Sequence, residues 1–264
     1  MVKSFKNITE EGINHSVLRY LTFAKFISIL EFKALWFCKL NVLIDEFEGK
    51  LPTKPRQKML ENQEELKKTF TAPEFQESLS RMTDDHEKGG RELTAVCCWY
   101  FGDTESLEMW KKYVPNNEGV AIKSTVKKLS ECIFTHPEYS QIGKVRYVNF
   151  DEYKMTPYEA HQANERALLK RKEFEGEQEI RIITLNFITP WCLNNNGLVP
   201  SPQQCSGPGM NNLQNPGLYI KANLESLIDA IIVAPKAKQW FLDLVQLLAK
   251  KYGLSCPIYK SNLN

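Results

Sequence analysis

The stretch Gly176–Ile183, GEQEIRII, sets two glutamates and an arginine at alternating positions ahead of an apolar run. On an extended strand alternate side chains share a face, so Glu177, Glu179 and Arg181 project from one side. Gln178, Ile180 and Ile182 face the other. Two carboxylates held that close repel, and a neighbouring guanidinium keeps at least one of them ionised. Such a pair suits stabilising positive charge that develops in a substrate. The competing reading is a solvated strand edge whose glutamates pair with Lys170, Arg171 and Lys172.

Three further groups carry chemistry-bearing side chains. Arg19–Tyr20 lies inside a short apolar strand, where the guanidinium either binds a phosphate or carboxylate bidentately or clamps the structure. Asp45, Phe47 and Glu48 sit in an acidic turn after a strand, a place where acids ordinarily cap or solvate. Trp99, Trp110 and Tyr113 have spacings that suit a core as well as a ligand-stacking face. The four histidines are scattered, the seven cysteines form no CxxC pair, and Cys98 and His136 cannot be paired from sequence. No metal site is expected.

Those side chains need a scaffold, and 264 residues suffice to bury a proper core. Apolar residues make up 42% and charged residues 25%, with a net charge of +2, so no global attraction to nucleic acid or anionic membrane is implied. Val17–Leu43 is the most apolar early stretch, but Arg19, Lys25, Glu31, Lys33 and Lys39 break it, so it is no membrane span. The N-terminus has no apolar signal core, and the odd cysteine set reads as reduced thiols, which together predict a cytoplasmic protein.

Strand and helix patterns intermix. VLRYLT (17–22) and ALWFCKL (34–40) read as strands flanking the amphipathic helix FAKFISILEF. Residues 57–91 read as a helical excursion rich in Glu, Lys and Gln. LTAVCCWYF (93–101) reads as a buried strand and TESLEMWKKY as a helix capped by Asp103 or Thr104. GVAIKS and GKVRYVNF read as strands, and Tyr158–Glu175 as a charged helix feeding the EQEIRIITLNF strand. Residues 190–217 are a loop crowded with Pro, Gly and Asn. In the tail, Trp240, Phe241, Leu244, Leu247 and Leu248 draw an apolar face on a last helix. No repeat or phosphate-binding glycine loop occurs, so an α+β single mixed domain over 1–264 is expected.

Taken in order, these segments resemble the bacterial domain-of-unknown-function family 2971. The shared features are a strand–helix–strand start, an acidic turn ending in Phe47-Glu48, a Met109-Trp110 helix followed by Gly119-Val120, and a Glu177-x-Glu179-x-Arg181 strand. The family's turn usually reads Asn-Asp-Pro-Phe-Glu, whereas this chain has Ile44-Asp45-Glu46-Phe47-Glu48.

A second resemblance is to ADP-ribosyltransferases of the arginine–serine–glutamate class. They carry an arginine on an early strand, small hydroxyl residues on a middle strand and a Glu-x-Glu before a late apolar strand. Arg19 and Glu177-Gln178-Glu179-Ile180 fall in that order, while Cys97-Cys98-Trp99 replaces the hydroxyl pattern. This resemblance implies a split sheet with helical decorations and NAD as substrate. Cleaving the nicotinamide–ribose bond passes through an oxocarbenium-like state. In that scheme Glu179 holds the ribose and faces the cation, and Glu177 orients the nucleophile. Arg19 binds pyrophosphate, Tyr20 or Trp99 stacks on nicotinamide, and Arg181 is counted with them among the residues that bind NAD. The acceptor is an unidentified protein or nucleic acid, and the setting, by analogy, a toxin or anti-phage effector. Two other classes stand beside it: a non-catalytic module binding a nucleotide or phage component, and a metal-dependent nuclease built on Asp45, Glu48, Glu177 and Glu179.

Overall fold

A computed structural model describes Val2 and residues 4–133, 140–185, 192–194, 197–199 and 216–263. His136, and most of the 190–217 loop, lie outside the described residues. Strands β1 (Ser4–Lys6), β2 (Ser16–Thr22) and β3 (Ala34–Lys39) open the chain, with helix α1 (Phe23–Phe32) joining the last two. Helices α2 (Thr53–Thr69) and α3 (Pro73–Leu93) form a hairpin, followed by β4 (Thr94–Phe101), α4 (Leu107–Tyr113), β5 (Gly119–Thr125) and α5 (Val126–Cys132). Next come β6 (Ser140–Lys144), β7 (Arg146–Val148), α6 (Pro157–His161), α7 (Ala163–Arg166), β8 (Leu169–Arg171) and β9 (Glu179–Leu185). A short pair, β10 (Cys192–Asn194) and β11 (Gly197–Val199), precedes β12 (Gly217–Lys221), α8 (Leu224–Leu227), β13 (Ala230–Val233), α9 (Gln239–Lys251) and β14 (Ile258–Lys260).

Ten strands form one mixed sheet in the order β1-β6-β9-β4-β2-β5-β13-β14, with β3 and β12 branching from β4. The branch has a simple cause. The first half of β4 pairs with β3 (Lys39 opposite Ala95), and its end pairs with β2 (Leu18 opposite Tyr100). The sheet therefore forks at β4, and the protein is α+β. Apolar side chains of β2, β4, β5, β9 and β13 supply the main core, with Trp99, Phe26, Phe37 and Phe241 fully enclosed.

Several local forms differ from the sequence pattern. Helix α4 is capped by Ser106, whose hydroxyl accepts the Met109 N–H at 3.3 Å, because the helix starts at Leu107, too late for Asp103 or Thr104. The 158–175 stretch is no continuous helix. A capping box at Thr156 and Glu159 starts α6, extended Gln162 interrupts it, and Leu168 and Leu169 are drawn into the interior as β8 pairs with β7. GKVRYVNF is likewise split, with Val145 ending β6 so that β7 can leave the main sheet for β8. On α9 the buried face is Phe241, Val245 and Ala249, while Trp240 and Leu247 are exposed.

The helical hairpin is tied to the body through Arg166, which is fully buried. Its Nε donates to the Gly49 carbonyl at 3.0 Å, and Nη1 donates to His86 Nε2 at 2.9 Å and to the Ala160 carbonyl at 2.5 Å. A Cβ at position 90 would stand 2.3 Å from its Nη2, so Gly90 is what lets α3 close over this arginine.

Candidate functional site

The GEQEIRII stretch is not one continuous strand. Glu177 ends a 3-10 turn, Gln178 adopts a left-handed conformation (φ 41°), and β9 begins at Glu179. The left-handed residue swings Glu177 back to the Glu179 side, so the two carboxylates meet despite the broken alternation. Lys170 of β8 joins them, its Nζ lying 2.8 Å from Glu177 Oε2 and 2.6 Å from Glu179 Oε1.

Arg181 extends the cluster along β9. Its Nε donates to Glu179 Oε2 at 2.7 Å, and its two terminal nitrogens grip both oxygens of Glu48 at 2.7 and 2.9 Å. That fork is the geometry in which guanidinium and carboxylate bind best. Nη1 also donates to the Ala167 carbonyl at 2.8 Å. Lys112, from the end of α4, closes the cluster with a hydrogen bond to Glu177 Oε1. Three carboxylates thus face three cations. Glu48, Glu177, Glu179 and Arg181 are each 3% exposed or less, whereas the Lys112 side chain is 41% exposed. The network reaches solvent through Lys112.

Aromatic rings wall the same face. Tyr147 accepts the Glu179 N–H on its hydroxyl at 2.7 Å. Tyr20 accepts the Ser106 N–H at 2.8 Å and meets Trp110 edge-on at 4.9 Å. Trp110 donates through Nε1 to Glu105 at 2.8 Å. The Phe174 ring carries Lys112, Lys170 and Arg171 at 5.4, 5.0 and 5.3 Å. Asp45 of the acidic turn binds Arg171 at 3.1 Å and accepts the Phe47 N–H, so the turn is docked twice, by Arg171 and by Arg181.

The environment drives the two glutamates apart. Burial, the hydrogen bond with Glu179 and its charge all raise the pKa of Glu177. Burial also pushes Glu179 upward, but Arg181, the hydrogen bond with Glu177 and Lys170 overcome it and hold Glu179 well below the ordinary carboxylate value. Burial, then the Glu177 and Glu179 charges, push the Tyr113 hydroxyl up.

A pH dependence with two slopes follows. Glu177, raised, takes its proton in the folded chain first, so stability increases as pH falls towards the ordinary value of 4.5. Glu179, depressed, contributes stability that is present above 4.5 and lost as pH falls through its folded value. Urea titrations across pH 3–8 are expected to show a rise into mild acid and then a steep loss below about 4.5. Glu177→Gln should remove the rise and keep the loss. A flat wild-type profile to pH 3 would refute the assignment.

Sequence-predicted residues divide between the two faces of the sheet. Glu48, Glu177, Glu179 and Arg181 are joined directly, with Tyr20 and Trp110 on the same side and Asp45 one contact away. Arg19 and Trp99 are not part of this group. Glu179 lies opposite Tyr100 and Arg181 opposite Cys98, whereas Arg19 packs its guanidinium on Cys97 Sγ (2.8 Å), the Trp36 carbonyl (3.0 Å) and the Trp99 ring. Cys97 and Trp99 alternate with Cys98 and Tyr100, so Arg19 and Glu179 occupy opposite faces. The single cleft in which the ADP-ribosyltransferase resemblance would place them is therefore not formed by Arg19 and Glu179. Lys112, Tyr147 and Phe174 belong to the site without having been singled out, and their sequence surroundings carry no signal that separates them from surface residues. Among the described residues, no group of three or more His, Cys, Asp or Glu is arranged to hold a metal.

The site thus defines a class, an α+β protein whose forked sheet holds a balanced, enclosed ion network walled by aromatics. Residues 109–182 match the family described as protein of unknown function DUF2971, so the resemblance read from the sequence holds over that segment. The matched span contains Trp110, Lys112, Lys170, Glu177, Glu179 and Arg181. No curated protein and no solved structure matches the chain. Among the described residues no helix is long and apolar enough to cross a membrane.

Proposed function

We propose that the protein is an NAD-using enzyme, an ADP-ribosyltransferase or NAD glycohydrolase, acting at the Glu177–Glu179 pair. The observation that carries this reading is one carboxylate pair with its members driven in opposite directions on an aromatic-walled face. Such divergence separates an ionised stabiliser from a proton carrier. Glu179, kept ionised, offers negative charge to an oxocarbenium-like centre, and Glu177 exchanges a proton with the attacking nucleophile. The strands that the ADP-ribosyltransferase resemblance singles out, β2, β4 and β9, are consecutive neighbours in the sheet, which supports it further. Arg19 is left out of this scheme by its position.

Both carboxylates are held by the chain's own cations, so a substrate must displace one of them, and Lys112 is the half-exposed one. Cys38, Cys97, Cys98, Cys132 and Cys256 are free thiols, which supports a reducing, cytoplasmic setting. The role we attach is a toxin or anti-phage effector, by analogy of reaction class, with a protein or nucleic acid as acceptor. Incubation with NAD is expected to release nicotinamide or to label an acceptor. Absence of both, across candidate proteins and nucleic acids, would end the enzyme reading.

A second reading is a non-catalytic nucleotide- or phage-component-binding module. It is favoured by a groove of about 570 Å³ beside the acidic turn, lined by Phe47, Lys50, Leu51, Arg56, Asp84 and Glu87 among others. That volume suits a small ligand. Thermal stabilisation by a nucleotide without any turnover would select this reading.

A further inference from the structure

Lys112 occupies a place built for a cation. Its ammonium bonds the outer oxygen of Glu177 and stands 5.4 Å from the centre of the Phe174 ring and 5.9 Å from that of Tyr113. A position that bonds a carboxylate and lies within 6 Å of two aromatic ring centres is the chemistry that recognises organic cations, because ring quadrupole and carboxylate both attract positive charge. The remaining side of Glu177 is fixed by Lys170, which is buried and held by Glu179 and Glu48 as well. Lys112 has no other ion-pair partner among the described residues, and its side chain is 41% exposed on a flexible stem. Among the described residues it is the most exposed cation of the network, with Lys170 at 8% and Arg181 at 1%.

We propose that the place now held by the Lys112 ammonium, against Glu177, Phe174 and Tyr113, is a subsite for an organic cation, a pyridinium or alkylammonium group, and that Lys112 is its built-in competitor. The inference rests on the proposed function for the identity of that cation, since the nicotinamide ring of NAD is a pyridinium, and Glu177 turns to the nucleophile only after that ring has left. A tethered lysine competes at a high effective concentration, so a ligand must either outbid it or bring further contacts. Lys112 therefore keeps Glu177 neutralised in the free protein and raises the threshold for binding.

The test uses the full chain and small probes. 1-Methylnicotinamide (a pyridinium cation), tetramethylammonium and neutral nicotinamide are titrated against wild type and Lys112→Ala at pH 8, followed by calorimetry. Lys112→Ala should bind at least one of the two cations about tenfold more tightly than wild type, with no gain for neutral nicotinamide. The preferred probe tells pyridinium from alkylammonium. Adding Glu177→Gln to Lys112→Ala should cancel the gain. Equal gain for the neutral ring, no gain for either cation, or a gain that survives Glu177→Gln would each overturn the subsite. Lys112→Gln, which keeps a polar partner for Glu177, is run in parallel and replaces Lys112→Ala if that variant lacks a cooperative melt. NAD turnover is scored separately. Nicotinamide release from wild type without any cation gain would sink the subsite alone, and a cation gain without release from any variant would sink the enzyme reading alone.

Discussion

Replacing Arg181 by Met is expected to destabilise the fold by about 3–5 kcal/mol, the range for breaking a buried ion pair by removing one partner. Arg181 is 1% exposed and satisfies Glu48 with two bonds and Glu179 with one. Methionine fills comparable space, so the loss is electrostatic, with two enclosed carboxylates left short of a counter-charge. The effect reaches beyond β9, because Glu48 is how the acidic turn is fastened to the sheet. Urea unfolding followed by circular dichroism measures it as a fall in midpoint at unchanged slope. Substituting Glu48 and Arg181 together by Gln and Met should cost less than Arg181→Met alone, since one charge of each sign is removed and Glu177 and Glu179 keep Lys112 and Lys170. A loss below about 1 kcal/mol for Arg181→Met would show that water reaches the network and that the burial argument is wrong.

The second large effect is on turnover. Glu177→Gln should lower the rate of nicotinamide release by about a hundredfold or more, the usual contribution of a positioned acid–base group. The substitution keeps shape and a hydrogen-bonding oxygen for Lys170 or Lys112 but removes the titrating group, and its melting temperature should stay near that of wild type. Arg19→Gln is the matched control, because Arg19 lies on the opposite face and among the described residues meets a thiol, a carbonyl and a ring. Its release rate is expected to be unchanged. Loss of turnover in Arg19→Gln with full activity in Glu177→Gln would invert the assignment and move the site to the other face. The Glu179 carboxylate is a poorer first target, since its removal also takes a counter-charge from Arg181 and Lys170 and mixes stability with chemistry.

Much of the scaffold was legible along the chain. Alternating apolar residues predict β2 and β4, and helical spacing predicts α1 and α4, because period-two and period-3.6 patterns are local properties. The breaks at Val145 and Gln162 were not legible. They arise where β7 must leave the main sheet to meet β8, a long-range pairing that no window of residues contains. Ser106 capped α4 in place of Asp103 or Thr104 because the first helical turn is positioned by Tyr20, 86 residues away.

For the site, the sequence by itself determined which residues carry charge at Glu177, Glu179, Arg181, Asp45 and Glu48, and that they sit beside apolar runs able to bury them. Of their partners the sequence offered Lys170, a few residues upstream of the glutamates, and tertiary structure decided the others. Lys112 is a charged residue in charged surroundings, and only the approach of α4 to the start of β9 makes it a counter-ion. Glu48 meets Arg181 across 133 residues, a distance at which side-chain type carries no information about contact. Arg19 and Glu179 have the types and order of a shared site, yet the parity of pairing through β4 puts them on opposite faces. Strand parity depends on register, and register is settled only when the whole sheet packs.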